Sequence, residues 1–167
     1  QSWSSEDYTT VGEIVNRNSK NLIINDSVTA EGTISDETGT ISGDGYVCIN
    51  AVEQIKNNAW SGSVCIQGDN ILENDLKVGT LIVGDSNRMA KLELNKYSLE
   101  AEDIIIQGTL EVQKAQIVCT NNMTVTGKGM LVMQDEASSV LVGGNFTIDS
   151  QSSHSGFLTQ GILEIKG

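Results

Sequence analysis

The chain has 167 residues, 38% of them hydrophobic, with 17 glycines, no proline and a net charge of −12. That length supports one domain with its own core, and the low apolar fraction suits a thin, elongated core better than a spherical one. An acidic chain with only 10 lysines and arginines repels phosphate, so nucleic acid and anionic membrane surfaces are not expected partners. Membrane insertion is not expected either, because no run approaches the 18 or so apolar residues of a span.

Residues 1–20 differ from the rest of the chain. Ser5 precedes two acidic residues, and Val11, Ile14 and Val15 recur at helical spacing, interrupted by Gly12. We read the segment as an N-terminal cap or a leader. From Asn21 the chain becomes a series of short strands with polar breaks: NLIIND, SVTAEG, TISDETG, TISGDG and YVCINA. Residues 52–62 (VEQIKNNAWSG) form the longest polar interruption and are expected to project as a loop or short helix. SVCIQGD resumes the strands, NILENDLKVG is a candidate second excursion, and TLIVGDS, KLELNKYS and LEAED come next. Residues 103–167 then run as eight further short strands, from DIIIQG to ILEIKG, with no obvious two-residue hairpin signal between them.

Parallel strands without hairpins imply a coil. Apolar–x–Gly anchors end at Gly68, Gly84, Gly108, Gly127, Gly144 and Gly167, an average step of about 20 residues. The expected fold is therefore all-β: a single-stranded parallel β-helix, or β-solenoid, over residues 21–167, with a possible short cap before it. At about 4.8 Å per turn, seven turns would make a rod roughly 35 Å long. Gly, Asn, Asp and Ser must make the bends, and the absence of proline leaves every backbone N–H free to join a ladder.

Alternation assigns the faces. Val64 and Ile66, Ile104 and Ile106, Met123 and Val125, Val140 and Val142, and Leu163 and Ile165 are expected inside. Cys65, Ile105 and Leu141 are then expected outside, as an apolar stripe on one sheet and a candidate interface. The chain ends on a good core strand, ILEIKG, from which we expect the native protein to continue past Gly167.

Chemistry-bearing residues are sparse. Cys48, Cys65 and Cys119 match no zinc spacing and read as packing residues, with a Cys48–Cys65 bridge left open if the two lie on adjacent turns. His154, the only histidine, lies in a Ser/Gly-rich stretch without a nucleophile motif and reads as an exposed loop residue. Carboxylates are plentiful but occupy no matching positions on successive anchors, so they read as solvated faces. No metal site or cofactor is expected, with calcium at a bend left open. Trp60, placed in the predicted loop, is the candidate ligand-contacting residue, and its other reading is a lid folded onto the core.

The C-terminal half resembles the repetitive β-solenoid segments of large secreted or cell-surface proteins of Gram-positive, clostridia-like bacteria. Val142, Gly144, Asn145 and Phe146 match one of their strand endings. Gly161, Leu163, Glu164, Ile165 and Gly167 match a second motif after a Ser-rich bend. Gram-negative filamentous haemagglutinins are similar in general character. The resemblance implies a non-catalytic structural or adhesive module, secreted or surface-attached. Its partners would be other domains of a longer chain and a host surface or polysaccharide. The alternative is a β-helix carbohydrate-active enzyme, a lyase or hydrolase working through surface carboxylates.

Overall fold

Short runs of Val, Ile, Leu and Thr, separated by Gly, Asn, Asp and Ser, become strands one after another. The computed structural model describes residues 10–17, 21–37, 40–85 and 90–167. The first two turns hold β1 (Thr10–Val11), β2 (Ile14–Asn16), β3 (Asn21–Ile23), β4 (Ser27–Ala30), β5 (Ile34–Asp36) and β6 (Thr40–Ser42). Next come β7 (Tyr46–Ile49), two 3-10 turns at Val52–Gln54 and Lys56–Asn58, and β8 (Ala59–Ile66). The middle turns hold β9 (Asp69–Ile71), β10 (Leu76–Val83), β11 (Lys91–Glu93), β12 (Leu99–Ile106), β13 (Thr109–Val112) and β14 (Gln116–Cys119). The last hold β15 (Met123–Gly127), β16 (Met130–Met133), β17 (Ser139–Val142), β18 (Phe146–Ser150) and β19 (Ile162–Ile165).

Each strand pairs in parallel with its equivalent on the next turn. Val28, Val47, Val64, Leu81, Ile104, Met123 and Phe146 fall on one continuous ladder. The result is a parallel β-solenoid of about seven turns with roughly 20 residues per turn, as the anchor period predicts.

The coil has three sides. The first carries β4, β7, β15, β18 and the second halves of β8, β10 and β12. The second carries β9, β11, β13 and β16, with β2 and β5 before them. The third carries β14, β17, β19 and the first halves of β8, β10 and β12, with β3 paired to β6 as a separate ladder. β8, β10 and β12 are eight residues long because they turn the corner from the third side to the first without a break. At that corner two successive residues face outward, Glu102 and Asp103 in β12, and the inward set resumes at Ile104. β8 carries a bulge there, so that Ser61 and Gly62 stand opposite Gly79.

One apolar column fills the centre. Ile34, Ile55, Val64, Leu81, Leu92, Ile104, Leu110, Met123 and Val140 are all buried in it. Leu163 and Ile165 have the same inward parity, yet they are 37% and 46% exposed, because no described turn stacks beyond β19.

Three expectations change. Val11, Ile14 and Val15 lie in strands rather than a helix, and β1 and β2 pair with β4 and β5, so the coil already includes residues 10–16; residues 1–9 and 18–20 lie outside the described residues. Residues 52–62 do hold short helices, the two 3-10 turns, but these pack inward instead of projecting, with Ile55 bridging to Ile34, and residues 59–62 begin β8. The Gln54 side chain supports these turns: its amide donates to the Ala30 and Gly32 carbonyls, and its oxygen accepts from the Asn50 and Ala51 amides. Third, the anchor at Val142 does not stack on those at Ile106 and Val125. Val142 pairs with Cys119 on the third side, and Ile148 is the residue that pairs with Val125. Parity survives on each side separately, which is why the inward assignment of Val140 and Val142 still holds.

On the second side, Glu93 and Glu111 are stacked in register, a repulsive arrangement by itself. Lys91 offsets it, with Nζ 2.7 Å from Glu93 and 2.9 Å from Glu111. Burial pushes the Glu111 carboxyl up, but hydrogen bonds from Lys91 and Gln113 outweigh it and hold the group below the ordinary carboxylate range. A depressed folded value contributes stability above the unfolded value of about 4.3 and loses it as pH falls through the folded value. Glu111→Gln is therefore expected to be less stable than the parent near neutral pH. It should become indistinguishable from the parent once the pH falls below the folded value, as read from denaturation midpoints across pH. An offset that persists in acid would show that the ion cluster is not its origin.

Candidate functional site

The third-side ladder has a break between the β3–β6 pair and β8. A recess lies along β5, β8, β10 and β12. It has a volume of about 330 Å3, and its walls include Asp36, Ser61, Lys77, Gly79, Glu100 and Glu102. A smaller recess of about 120 Å3 adjoins it, sharing Ser61, Gly79 and Glu102 and reaching Ile41 and Gly43. The β8 bulge and the two small residues Gly62 and Gly79 open this space; a Cβ on Gly79 would overlap the Ser61 carbonyl oxygen.

Three carboxylates and one ammonium group line the recess. Asp36 spans the break: its carboxylate accepts from the Ser61 amide at 3.3 Å, from the Ser61 hydroxyl, and from the Asn16 side-chain amide at 3.3 Å. Lys77 Nζ lies 3.3 Å from Glu100 Oε1, across paired residues of β10 and β12. Glu100 and Glu102 are two apart on one strand and both are exposed. The recess thus offers a row of acceptors with one donor cation, suited to a polyhydroxylated or cationic ligand. Nothing in the sequence pattern signals it, because Asp36 and Ser61 are 25 residues apart and meet only through stacking.

The residues singled out from the sequence fall in several different places. Trp60 belongs to β8 rather than a loop, and although it lines the recess its side chain is only 1% exposed. It has folded onto the core, and its indole N–H has no acceptor among the described residues. Cys65, Ile105 and Leu141 do not form one stripe. Cys65 and Ile105 share the ladder Cys48–Cys65–Ile82–Ile105–Thr124 on the first side. Leu141 lies on the third side, between Val118 and Glu164. Cys65 faces outward by parity yet is fully buried, whereas Ile105 and Leu141 are half-buried. The stripe splits because the corner in β8, β10 and β12 resets the inward set.

His154 is docked rather than free. Its Nε2 accepts from the Leu131 amide at 3.2 Å. The surrounding loop is tied to β16 by Met133 N–H to the Phe157 carbonyl at 2.7 Å and Thr159 N–H to the Met133 carbonyl at 3.0 Å. Only an unprotonated ring nitrogen can accept. His154→Leu is expected to cost about 1 kcal/mol and to speed hydrogen exchange at the Leu131 amide; unchanged protection of that amide would remove the histidine from this role.

Among the described residues, no group of three or more His, Cys, Asp and Glu side chains is placed to hold a metal ion. No helix there is long and apolar enough to cross a membrane. Compared with known proteins, the chain matches no family model, no curated protein and no solved structure. The class is a parallel β-solenoid with an acid-lined recess along β8, β10 and β12.

Proposed function

We propose that this chain is a structural and adhesive solenoid module of a secreted or surface-attached bacterial protein. It spaces or presents other domains of a longer chain and contacts a host surface or polysaccharide. The observation that carries this reading is the first-side ladder, which stays in parallel register from β4 to β18 around one continuous core. Such a stack resists bending and holds its two ends apart at a set distance. The acidic surface keeps a strand-rich rod soluble. The recess beside Glu100 and Glu102 supplies a contact point for hydroxyl-rich ligands.

Binding of the immobilised chain to a panel of host glycans and bacterial and plant polysaccharides tests the adhesive part. Retention of a glycan by the parent and its loss in the Glu100→Gln/Glu102→Gln double variant are expected. Failure to retain any polysaccharide or to adhere to cell surfaces would end that reading, leaving the spacer alone.

A second reading rests on the gathering of Asp36, Glu100 and Glu102 beside Lys77. Carboxylates gathered in a surface cleft are what a β-helix hydrolase would use. Reducing ends released from pectin-like substrates would favour it over adhesion.

A further inference from the structure

Cys48 and Cys65 occupy directly paired positions on β7 and β8, one turn apart. Neighbouring strands of a sheet lie about 4.8 Å apart, and that spacing falls within the roughly 4.4–6.8 Å between Cα atoms that a disulfide spans. Paired in register on parallel strands, the two side chains project to the same face of the sheet. The Cys65 sulfur lies 3.6 Å from the Gly84 carbonyl oxygen. Both cysteines are sealed from solvent, at 6% and 0% exposure, on the outward side of the sheet and apart from the apolar core cluster. Cys119 is different. It packs inside that cluster on the third side, between Ala101 and Val142, with its sulfur 3.3 Å from the Glu102 and Asn122 carbonyls.

We propose that Cys48 and Cys65 are a redox-modification site, converted by a small disulfide such as oxidised glutathione into a cross-turn disulfide. As the chain folds, before the pair is sealed, Cys48 loses its proton and attacks a glutathione sulfur, releasing one glutathione thiolate and forming a mixed disulfide. Cys65 then attacks the Cys48 sulfur, expelling the second glutathione. The protein pair loses two electrons, glutathione disulfide gains them, and the two thiol protons end on the two released glutathione thiols. The neighbouring Cys48 side chain and burial both push the Cys65 thiol up, so the folded pair exchanges slowly and the bridge closes most readily while the chain is folding. The product staples two turns between cysteines 17 positions apart in the chain and leaves Cys119 free.

The test refolds the full chain from denaturant in a buffer of oxidised and reduced glutathione, with intact mass and peptide mapping after alkylation as the readouts. A product lighter by two hydrogens is expected, with one linked peptide joining Cys48 to Cys65 and Cys119 alkylated. Its thermal midpoint should be about 6–12 °C above that of the reduced chain, a difference that dithiothreitol erases. Cys119→Ser should oxidise in the same way. Three alkylatable thiols after oxidative refolding would overturn the proposal. So would a bridge that includes Cys119, or a lasting glutathione adduct on Cys48 with no cross-link. The parent chain supplies these readouts itself, so the result does not depend on whether a variant folds.

Discussion

Trp60→Ala should cost the fold about 3–5 kcal/mol, the range for removing a buried indole. Trp60 is the largest fully buried side chain among the described residues. It sits in β8 in register with Val78, on the ladder that continues through Ala101 and Cys119. Truncation would leave a void spanning adjacent turns, close to where the third-side ladder is already broken and least able to collapse around the loss. Trp60→Phe separates packing from polarity. It keeps most of the volume and deletes an N–H that has no acceptor among the described residues, so part of the lost contact is offset by removing a buried unsatisfied donor. We expect it to cost about 1 kcal/mol or less. Guanidinium denaturation of both variants checks the pair. An alanine variant within about 1 kcal/mol of the parent would contradict the burial of the indole; a phenylalanine variant as damaged as alanine would mean that the N–H finds an acceptor after all.

The second large effect is expected at Gly108. This residue forms the bend between β12 and β13, its amide donating to the Val83 carbonyl at 2.7 Å and its carbonyl accepting from the Met130 amide at 2.8 Å. A Cβ there would overlap the Ala90 carbonyl oxygen on the turn below. Gly108→Ala therefore forces neighbouring turns apart at that corner and is expected to cost about 1–3 kcal/mol, with faster hydrogen exchange at Thr109 and Met130. Two other glycines serve as references. Gly127 adopts φ of +61° with nothing within 4 Å of the added Cβ, so its alanine variant bears conformational strain alone, about 1–2 kcal/mol. Gly12 has neither a neighbour within 4 Å nor a positive φ, and Gly12→Ala should be near neutral. Equal costs at Gly108 and Gly12 would show that the turns are not in contact at that bend.

Both predictions concern contacts between turns, and the solenoid depends on such contacts throughout. A single turn cannot bury its own apolar residues, so each side chain facing the axis relies on its equivalents above and below. The exposure of Leu163 and Ile165, on which no described turn stacks, displays this directly. The same dependence applies to polar groups: Asn122 Oδ1 accepts from the Asn145 amide one turn on, and Asn70 holds the Val52 amide and the Asn50 carbonyl one turn back.

The amino-acid sequence by itself determined the all-β class, the parallel coil, the turn length and the inward parity of Val64, Ile104, Met123 and Val140. These rest on local rules. Alternation has a period of two residues, bends require Gly, Asn, Asp or Ser, and the absence of hairpin signals leaves stacking as the way to satisfy the strand edges. Tertiary structure decided which side of the coil each strand occupies, and therefore which outward residues are neighbours. Leu141 is separated from Ile105 because an eight-residue strand can round a corner with two successive outward residues, and no local pattern marks where the parity resets. The burial of Trp60, the docking of His154 on Leu131 and the meeting of Asp36 with Ser61 were decided in the same way. Each joins groups whose separation along the chain reflects the summed lengths of several bends, and bend length is the quantity that strand alternation leaves free. The pairing of Cys48 with Cys65 lies between the two cases: their separation is close to one turn, so stacking was conceivable from the sequence, but only the register of β7 on β8 set the two residues directly opposite each other.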